Sequence, residues 1–195
     1  MATLNLEAFS LSHAAILDGS TGAEAVDGDI YGVDDASLEP NTDSFENTGD
    51  DVVLSRWEWL NYAEVSVRGG YIPFRTLQAL YGETIVSSGT DPDDWYSQEF
   101  WTDRSMNVAA KPMLIAMPAK DSAGTVRTLW IVLYKCTFGP ITFEGPSYKE
   151  GLKVSYRATA LMSDTDEKGA SLGGYKAVGR IVSAPANAAW DPNVV

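Results

Sequence analysis

Two segments of this chain alternate strictly between polar and apolar residues, which restricts them to strands with one buried face. Between residues 62 and 68, the apolar residues Ala63, Val65 and Val67 occupy every second position. Residues 152–161 repeat this alternation. Because successive side chains of a strand point to opposite faces, a period of two predicts strands that pack on one side and meet solvent on the other. We therefore expect a mainly β fold.

Further apolar segments raise the expected number of strands to seven or eight. The strongest is the run LWIVLY within residues 126–137, which is apolar on both faces and typical of a central strand. The turn-forming residues 121–124 separate it from a short strand over Met113–Met117, which is bounded by Pro112 and Pro118. The remaining predicted strands cover residues 3–17, 30–38 and 175–182.

One short helix is predicted over residues 73–81. Pro73 suits the first helical position, Gly82 suits the position after the last turn, and the apolar residues between them recur at helical spacing. Together, the strands and the helix predict a single β domain over residues 1–183. We expect a β-sandwich or barrel with the helix packed on it, followed by an extended C-terminal tail at residues 184–195.

Two long polar segments interrupt this pattern. Residues 39–56 are acidic with few apolar residues, and they predict a long loop between early strands that reaches to about residue 58. Residues 87–107 form a second polar, acidic segment. Loops longer than about 12–15 residues in a compact domain are usually functional or disordered. We expect the first loop to become ordered only on assembly with other chains.

The charge of the chain is concentrated in its first quarter. The net charge is −13, and residues 1–55 contain twelve Asp and Glu but neither Lys nor Arg. The first basic residue is Arg56. Such a surface repels nucleic-acid phosphates instead of binding them. A solvated acidic segment that simply aids solubility is the alternative interpretation.

Two short motifs resemble known chemical sites but lack essential parts. Asp27–Leu38 begins like a calcium-binding loop, yet Tyr31 stands where an oxygen ligand is needed and Leu38 replaces the bidentate Glu. Gly169–Gly173 has the spacing of a serine hydrolase nucleophile elbow, but it follows a polar run and the single histidine, His13, lies upstream. We therefore interpret the first as a carboxylate-rich turn and the second as a loop.

The remaining reactive residues do not form a recognisable site in the sequence. Zinc sites draw on clusters of Cys and His, and this chain has only His13 and Cys136. Cys136 ends an apolar strand and is interpreted as a buried small residue. Paired carboxylates for glycoside hydrolysis stay open as an alternative, because 27 acidic residues always offer candidates. We predict no catalytic residue, metal ligand or cofactor.

The first ten residues, MATLNLEAFS, lack the basic and continuous apolar parts of a signal peptide. No apolar run approaches the roughly 20 residues of a membrane span. A single cysteine also excludes an internal disulfide framework. We expect synthesis in the cytosol and no association with a membrane.

In the order of its elements, the chain resembles the major tail tube proteins of long-tailed bacteriophages. An N-terminal strand and an acidic strand–loop region at residues 30–58 precede AEVSVRGGY, which leads into a helix that ends in LQALYG. Two apolar strands joined by a turn follow in MLIAMPAKDSAGTVRTLWIVLYKC, and EGLKVSYRATAL then precedes an acidic turn and a closing strand. The resemblance covers roughly residues 3–183.

This resemblance implies a structural virion protein that forms sixfold rings stacked into a hollow tail tube. Strands of all subunits would line the lumen, and the long loop would reach a neighbouring subunit or ring. The implied partners are other copies of the chain, a tape-measure protein, tail terminator and initiator proteins, and double-stranded DNA that passes through without specific binding. An acidic lumen would repel DNA within roughly 8 Å and ease its passage.

Specific residues follow from this implied role. The candidate lumen-facing residues are Tyr62, Glu64, Ser66 and Arg68. The candidate residues of the inter-subunit or inter-ring loop are Asp43, Phe45, Glu46, Asp50, Asp51, Arg56 and Trp57. The alternatives are another non-enzymatic phage β-sandwich, such as a head–tail joining or decoration protein, and a glycosidase that uses two carboxylates. A surface adhesin would need an export signal.

Overall fold

The structure is a computed structural model of the chain. It describes residues 7–8, 13–49, 52–71, 76, 80, 86–88, 95–97, 109–121, 123–144 and 153–194. Within these residues the chain forms eleven strands and no complete helix. The strands are β1 (Glu7–Ala8), β2 (His13–Leu17), β3 (Glu24–Gly49), β4 (Val52–Tyr71), β5 (Val86–Ser88), β6 (Trp95–Ser97), β7 (Lys111–Lys120), β8 (Val126–Phe138), β9 (Thr142–Glu144), β10 (Lys153–Leu161) and β11 (Gly179–Pro185).

Nine of these strands form one antiparallel sheet, so the expected mainly β fold is confirmed. Its order is β1-β7-β2-β3-β4-β10-β8-β11, and β9 adds to β10. β7 pairs with β8 as well as with β2, which curls the sheet back on itself. The end strands β1 and β11 do not pair with one another, so the sheet is not closed at these strands. β5 and β6 form a separate two-stranded sheet.

The apolar residues of β7 and β8 pack on both faces of the sheet. On β7, Met113 and Ile115 join the main core, whereas Leu114 and Ala116 join a second cluster on the opposite face. The buried residues of β8 divide in the same way, which confirms the prediction of a central strand that is apolar on both faces. Full burial of each large apolar side chain stabilises the fold by roughly 1.5–3 kcal/mol.

The prediction of an acidic loop at residues 39–56 is wrong, because the described residues of this segment form strands. β3 continues to Gly49 and β4 begins at Val52, and the two strands pair from Tyr31 opposite Tyr71 to Gly49 opposite Val52, with three register shifts along the way. Backbone hydrogen bonds join a strand to its partner whatever the polarity of its side chains, and β4 is rich in the β-branched and aromatic residues that favour strands. The expectation that this segment becomes ordered only on assembly was based on its being a loop, and the strands remove that basis.

Both prolines that were expected to bound a short strand lie inside β7. Pro112 coincides with a register shift between β7 and β8, where a bulge tolerates the missing N–H. Pro118 lies between the stretch that pairs with β2 and the stretch that pairs with β1. On that edge neither β1 nor β2 pairs with Pro118 itself, while on the other edge Pro118 stays opposite Thr128 of β8, so the strand continues through the proline.

Two other predicted segments lie mostly outside the described residues. Of the predicted helix at residues 73–81, only Thr76 and Leu80 are described, and both are fully buried. Of the polar segment 87–107, the described residues include β6, which pairs with β5. Leu80 belongs to the main core cluster, so this part of the chain contributes to the core.

Candidate assembly surfaces

The two faces of β4 differ as the alternation of residues predicts. Ala63, Val65 and Val67 are buried in the main core. The side chains of the opposite face point away from that core. Of the four candidate lumen-facing residues, Glu64, Ser66 and Arg68 are exposed and Tyr62 is half-buried.

This polar face continues onto the strands on either side of β4. On β3, Glu39 lies opposite Glu64, and the register also pairs Ser37 with Ser66. On β10, Arg157 lies opposite Ser66, and Thr159 lies opposite Glu64. These side chains line an open groove of about 400 Å³. We call this three-strand surface the polar face.

The polar face carries charges of both signs. Glu39 and Glu64 occupy directly opposed positions on neighbouring strands, where like charges destabilise a sheet. Arg157 lines the same groove and Arg68 lies on the same face of β4, so the polar face also carries two positive charges. The polar face therefore combines two carboxylates with two guanidinium groups, which suits it to contact with water or with a charged partner.

The far ends of β3 and β4 form a two-stranded ribbon, which we call the arm (Thr42–Gly49 with Val52–Leu60). β10 pairs with β4 only from Tyr62 to Gly69, and β2 pairs with β3 only from Glu24 to Ile30. Among the described strands, the arm therefore pairs only with itself. At roughly 3.3 Å per residue its eight-residue strand spans about 25 Å. A two-stranded hairpin without further packing is marginally stable in water.

The structure places most of the candidate inter-subunit residues on the arm. Asp43 is exposed, and its Oδ2 accepts a hydrogen bond from Asn61 Nδ2 at 2.6 Å. Register brings the other described candidates into opposed positions across the ribbon. Phe45 lies opposite Trp57, and Glu46 lies opposite Arg56. Asp50 and Asp51 lie outside the described residues.

The C-terminal tail packs on the sheet and is not an extended tail, which corrects the prediction for residues 184–195. We call residues 186–194 the strap. The indole of Trp190 donates to the carbonyl of Gly22 at 2.8 Å, and its ring lies 5.8 Å from that of Trp130. Lys168 Nζ donates to the carbonyl of Pro192 at 3.0 Å. The strap therefore covers the second apolar cluster.

A buried ion pair lies beside the strap. Glu167 is fully buried, and its Oε1 accepts a hydrogen bond from Arg180 of β11 at 2.5 Å. The Arg180 guanidinium also lies 5.8 Å from the ring of Trp190. Burial, reinforced by the negative charge of Glu167, raises the pKa of the Tyr134 hydroxyl. This pair fixes the position of β11 relative to the preceding loop, and sequence reasoning missed it.

The reactive residues considered in the sequence do not converge on a chemical site. Burial raises the pKa of Cys136 to about 12, so its thiol stays protonated at neutral pH. Asp27–Tyr31 lies in β3 and not in a loop, which excludes the geometry of a calcium-binding loop there. Ser171 follows a turn and not a buried strand, unlike a nucleophile elbow.

The described ranges contain no group of three or more His, Cys, Asp or Glu side chains that could hold a metal ion. No helix among the described residues is long and apolar enough to span a membrane. Neither a comparison with models of known protein families nor a search of curated proteins finds a match for this chain.

Proposed function

We propose that this chain is the major tail tube protein of a long-tailed phage. In this role it is a structural virion protein without a catalytic site. It polymerises as stacked hexameric rings into a tube with an acidic lumen, through which DNA passes into the host. It is made in the host cytoplasm and ends in the phage tail, where a tape-measure protein and terminator and initiator proteins are its further partners.

The arm is the observation that carries this proposal. The ribbon of about 25 Å pairs only with itself among the described strands, so neither of its outer edges has a described strand partner. Such an element adds little to the stability of one subunit. It gains most when it packs against another copy, as a subunit that joins rings into a tube requires.

The curled sheet and its polar face support the same role. A barrel-like tail tube fold needs a sheet whose apolar face is enclosed and whose other face lines an aqueous channel. The polar face has this character. It includes the exposed Glu64, Ser66 and Arg68, and the half-buried Tyr62 lies at its end. Its carboxylates act on DNA only within roughly 8 Å at physiological salt, so they must line the channel closely.

Negative-stain electron microscopy of the purified protein over a concentration series tests the proposal. We expect hollow tubes or stacked rings that become more frequent as the concentration rises. The matched control is a chain in which the arm is shortened to a tight turn between Thr42 and Leu60, and we expect it to form no tubes. Single rings that never stack would favour a head–tail joining protein, and a monomer at every concentration would contradict self-assembly.

A further inference from the structure

The strap is held on the sheet by few contacts. Half-buried side chains occur at only three of its nine positions, and the other six are exposed. The three are Ala188, Trp190 and Pro192. The strap leaves β11 through a turn at Pro185–Ala188, in which Asn187 adopts a left-handed φ of 57° and the N–H of Ala188 donates to the carbonyl of Pro185 at 3.2 Å. Such a turn can act as a hinge, because a few residues there absorb a change of direction while β11 stays paired with β8.

The closed strap covers polar atoms that lack partners. Glu167 is fully buried, yet its Oε2 has no hydrogen-bond partner among the described residues, and the same holds for Arg180 Nε and Trp130 Nε1. Trp190 of the strap lies against both Arg180 and Trp130, and the carbonyl of Pro192 lies 3.4 Å from an Arg180 nitrogen. Buried polar groups without partners destabilise the state that buries them. Opening of the strap would admit water to these atoms, which offsets part of the apolar contact that is lost.

Gly22, in the turn after β2, is the point at which the strap and the loop before β11 meet. Its φ is +69°, and its carbonyl accepts the hydrogen bond of the Trp190 indole. A Cβ at this position would lie 2.7 Å from Lys168 Cγ, 3.0 Å from Glu167 Cγ and 3.1 Å from Pro192 Cβ. The first distance is shorter than real Cβ contacts and the other two are tight. Glycine therefore lets the turn, the loop and the strap close together.

We propose that the strap is a latch that opens and closes on the sheet as a unit, with its hinge at Pro185–Ala188 and its seat at Gly22. In the closed state the Trp190 indole donates to Gly22 and the second apolar cluster is covered. In the open state Trp130 is uncovered and the buried ion pair meets water, while β8 and β11 stay paired. The two states are close in free energy, because apolar burial favours the closed one and the unpartnered buried polar atoms favour the open one. This inference concerns a single subunit and does not depend on the proposed self-assembly.

Solvent exchange of the Trp190 indole N–H, followed by NMR, measures the opening directly. The full chain is used at a concentration at which it sediments as a monomer, and the indole signal is assigned by its loss in Trp190→Phe. Relative to unstructured peptides, we expect this N–H to be at least about 100-fold less protected than the buried backbone amides of β8. Its exchange should also change little in urea below the unfolding transition, because a local opening exposes little surface.

Two glycine variants with a common backbone conformation test the seat. Gly22→Ala adds a Cβ that meets the loop and the strap, so we expect the Trp190 indole to exchange roughly tenfold or more faster. Gly124→Ala is the matched control, because Gly124 also has a left-handed φ, +80°, but a Cβ there meets nothing within 4 Å. It should leave the exchange of this indole unchanged.

Lys168→Met provides a milder variant at the same junction. It removes the donor to the Pro192 carbonyl but keeps most of the side chain, so it should speed the exchange of the Trp190 indole by a smaller factor than Gly22→Ala does. Circular dichroism and thermal unfolding check that each variant folds.

The outcomes separate the parts of this inference. The latch is wrong if the Trp190 indole is protected as strongly as the β8 amides and responds to urea in the same way, since global unfolding alone would then expose it. The seat is wrong if Gly22→Ala and Gly124→Ala change this exchange equally. If Gly22→Ala does not fold, an unchanged exchange rate in Lys168→Met overturns the role of the junction. The presence or absence of tubes in electron microscopy bears on the proposed function alone.

Discussion

The arm and the C-terminal region (residues 163–194) are both polar in sequence, but they are ordered in different ways. The arm is held by backbone pairing along its whole length, with a hydrogen bond from Asn61 to Asp43 near its base. The C-terminal region is held mainly by side chains, through the Glu167–Arg180 pair and the contacts of Trp190. Polar composition therefore does not reveal whether a segment is dispensable to the fold.

Among the changes considered, loss of the buried ion pair in the C-terminal region should lower the free energy of unfolding most. Glu167→Ala leaves Arg180 partly buried without its counter-charge, which should lower the free energy of unfolding by about 3 kcal/mol or more. Urea unfolding of the subunit at low concentration measures this. In a double-mutant cycle with Arg180→Met, the combined loss should be smaller than the sum of the single losses. Additive losses would show that the two residues act independently.

Truncation of Trp190 should have the next largest effect. Trp190→Ala removes a partly buried ring from Trp130 and leaves the Gly22 carbonyl without its donor, for an expected loss of about 2–3 kcal/mol. Trp190→Phe keeps most of the ring and should lose only about 1 kcal/mol. Thermal unfolding compares the two variants. Equal stability of Trp190→Ala and the unaltered chain would mean that the strap does not contribute to the fold.

Replacement of Asp18, in the turn after β2, should lower the free energy of unfolding by a smaller amount, and this amount should depend on pH. The Asp18 carboxylate accepts hydrogen bonds from the N–H groups and hydroxyls of Ser20 and Thr21, which lower its pKa from 3.8 to about 2. Because the folded pKa lies below the unfolded one, the stabilisation is present above about pH 3.8 and is lost as the pH falls towards 2.

The difference in unfolding free energy between the unaltered chain and Asp18→Ala should therefore be constant near neutral pH and shrink below about pH 4. An NMR titration of the Asp18 carboxyl measures its pKa directly. A midpoint near the ordinary value would show that the turn does not hold the carboxylate in solution.

Shortening the arm should have the smallest effect on stability. When a two-residue turn replaces residues 43–59, the subunit loses only ribbon contacts, and the free energy of unfolding should change by less than about 1 kcal/mol. Chemical denaturation measures this change beside that of Trp190→Ala. A loss as large as that of Trp190→Ala would mean that the arm packs on the body of its own subunit.

The parts of the fold that could be predicted are those in which side chains report burial directly. The alternation at residues 62–68 predicted both faces of β4, and the run within residues 126–137 predicted a strand buried on both faces. The arm could not be predicted in this way. Residues 39–49 have low strand propensity, and their conformation depends on pairing with β4, which is a contact distant in sequence.

Part of the candidate site was also accessible from the sequence, namely the polar side chains of β4. Their neighbours Glu39 and Arg157 were not, because only the register of three strands brings them into one groove. The Glu167–Arg180 pair was missed for a similar reason, since the two residues lie in a polar loop and a later strand. A tryptophan within a short tail of mostly small residues was the available sign that the strap packs on the sheet.

The sequence by itself determined the class of fold and the excess of acidic residues in the first quarter of the chain. Local periodicity specifies strands and their buried faces, and composition specifies charge, because neither depends on distant contacts. Only the tertiary structure decided where that charge lies. Strand pairing places the acidic β3 apart from β7, β8 and β11, whose charged side chains are all basic, within one curled sheet.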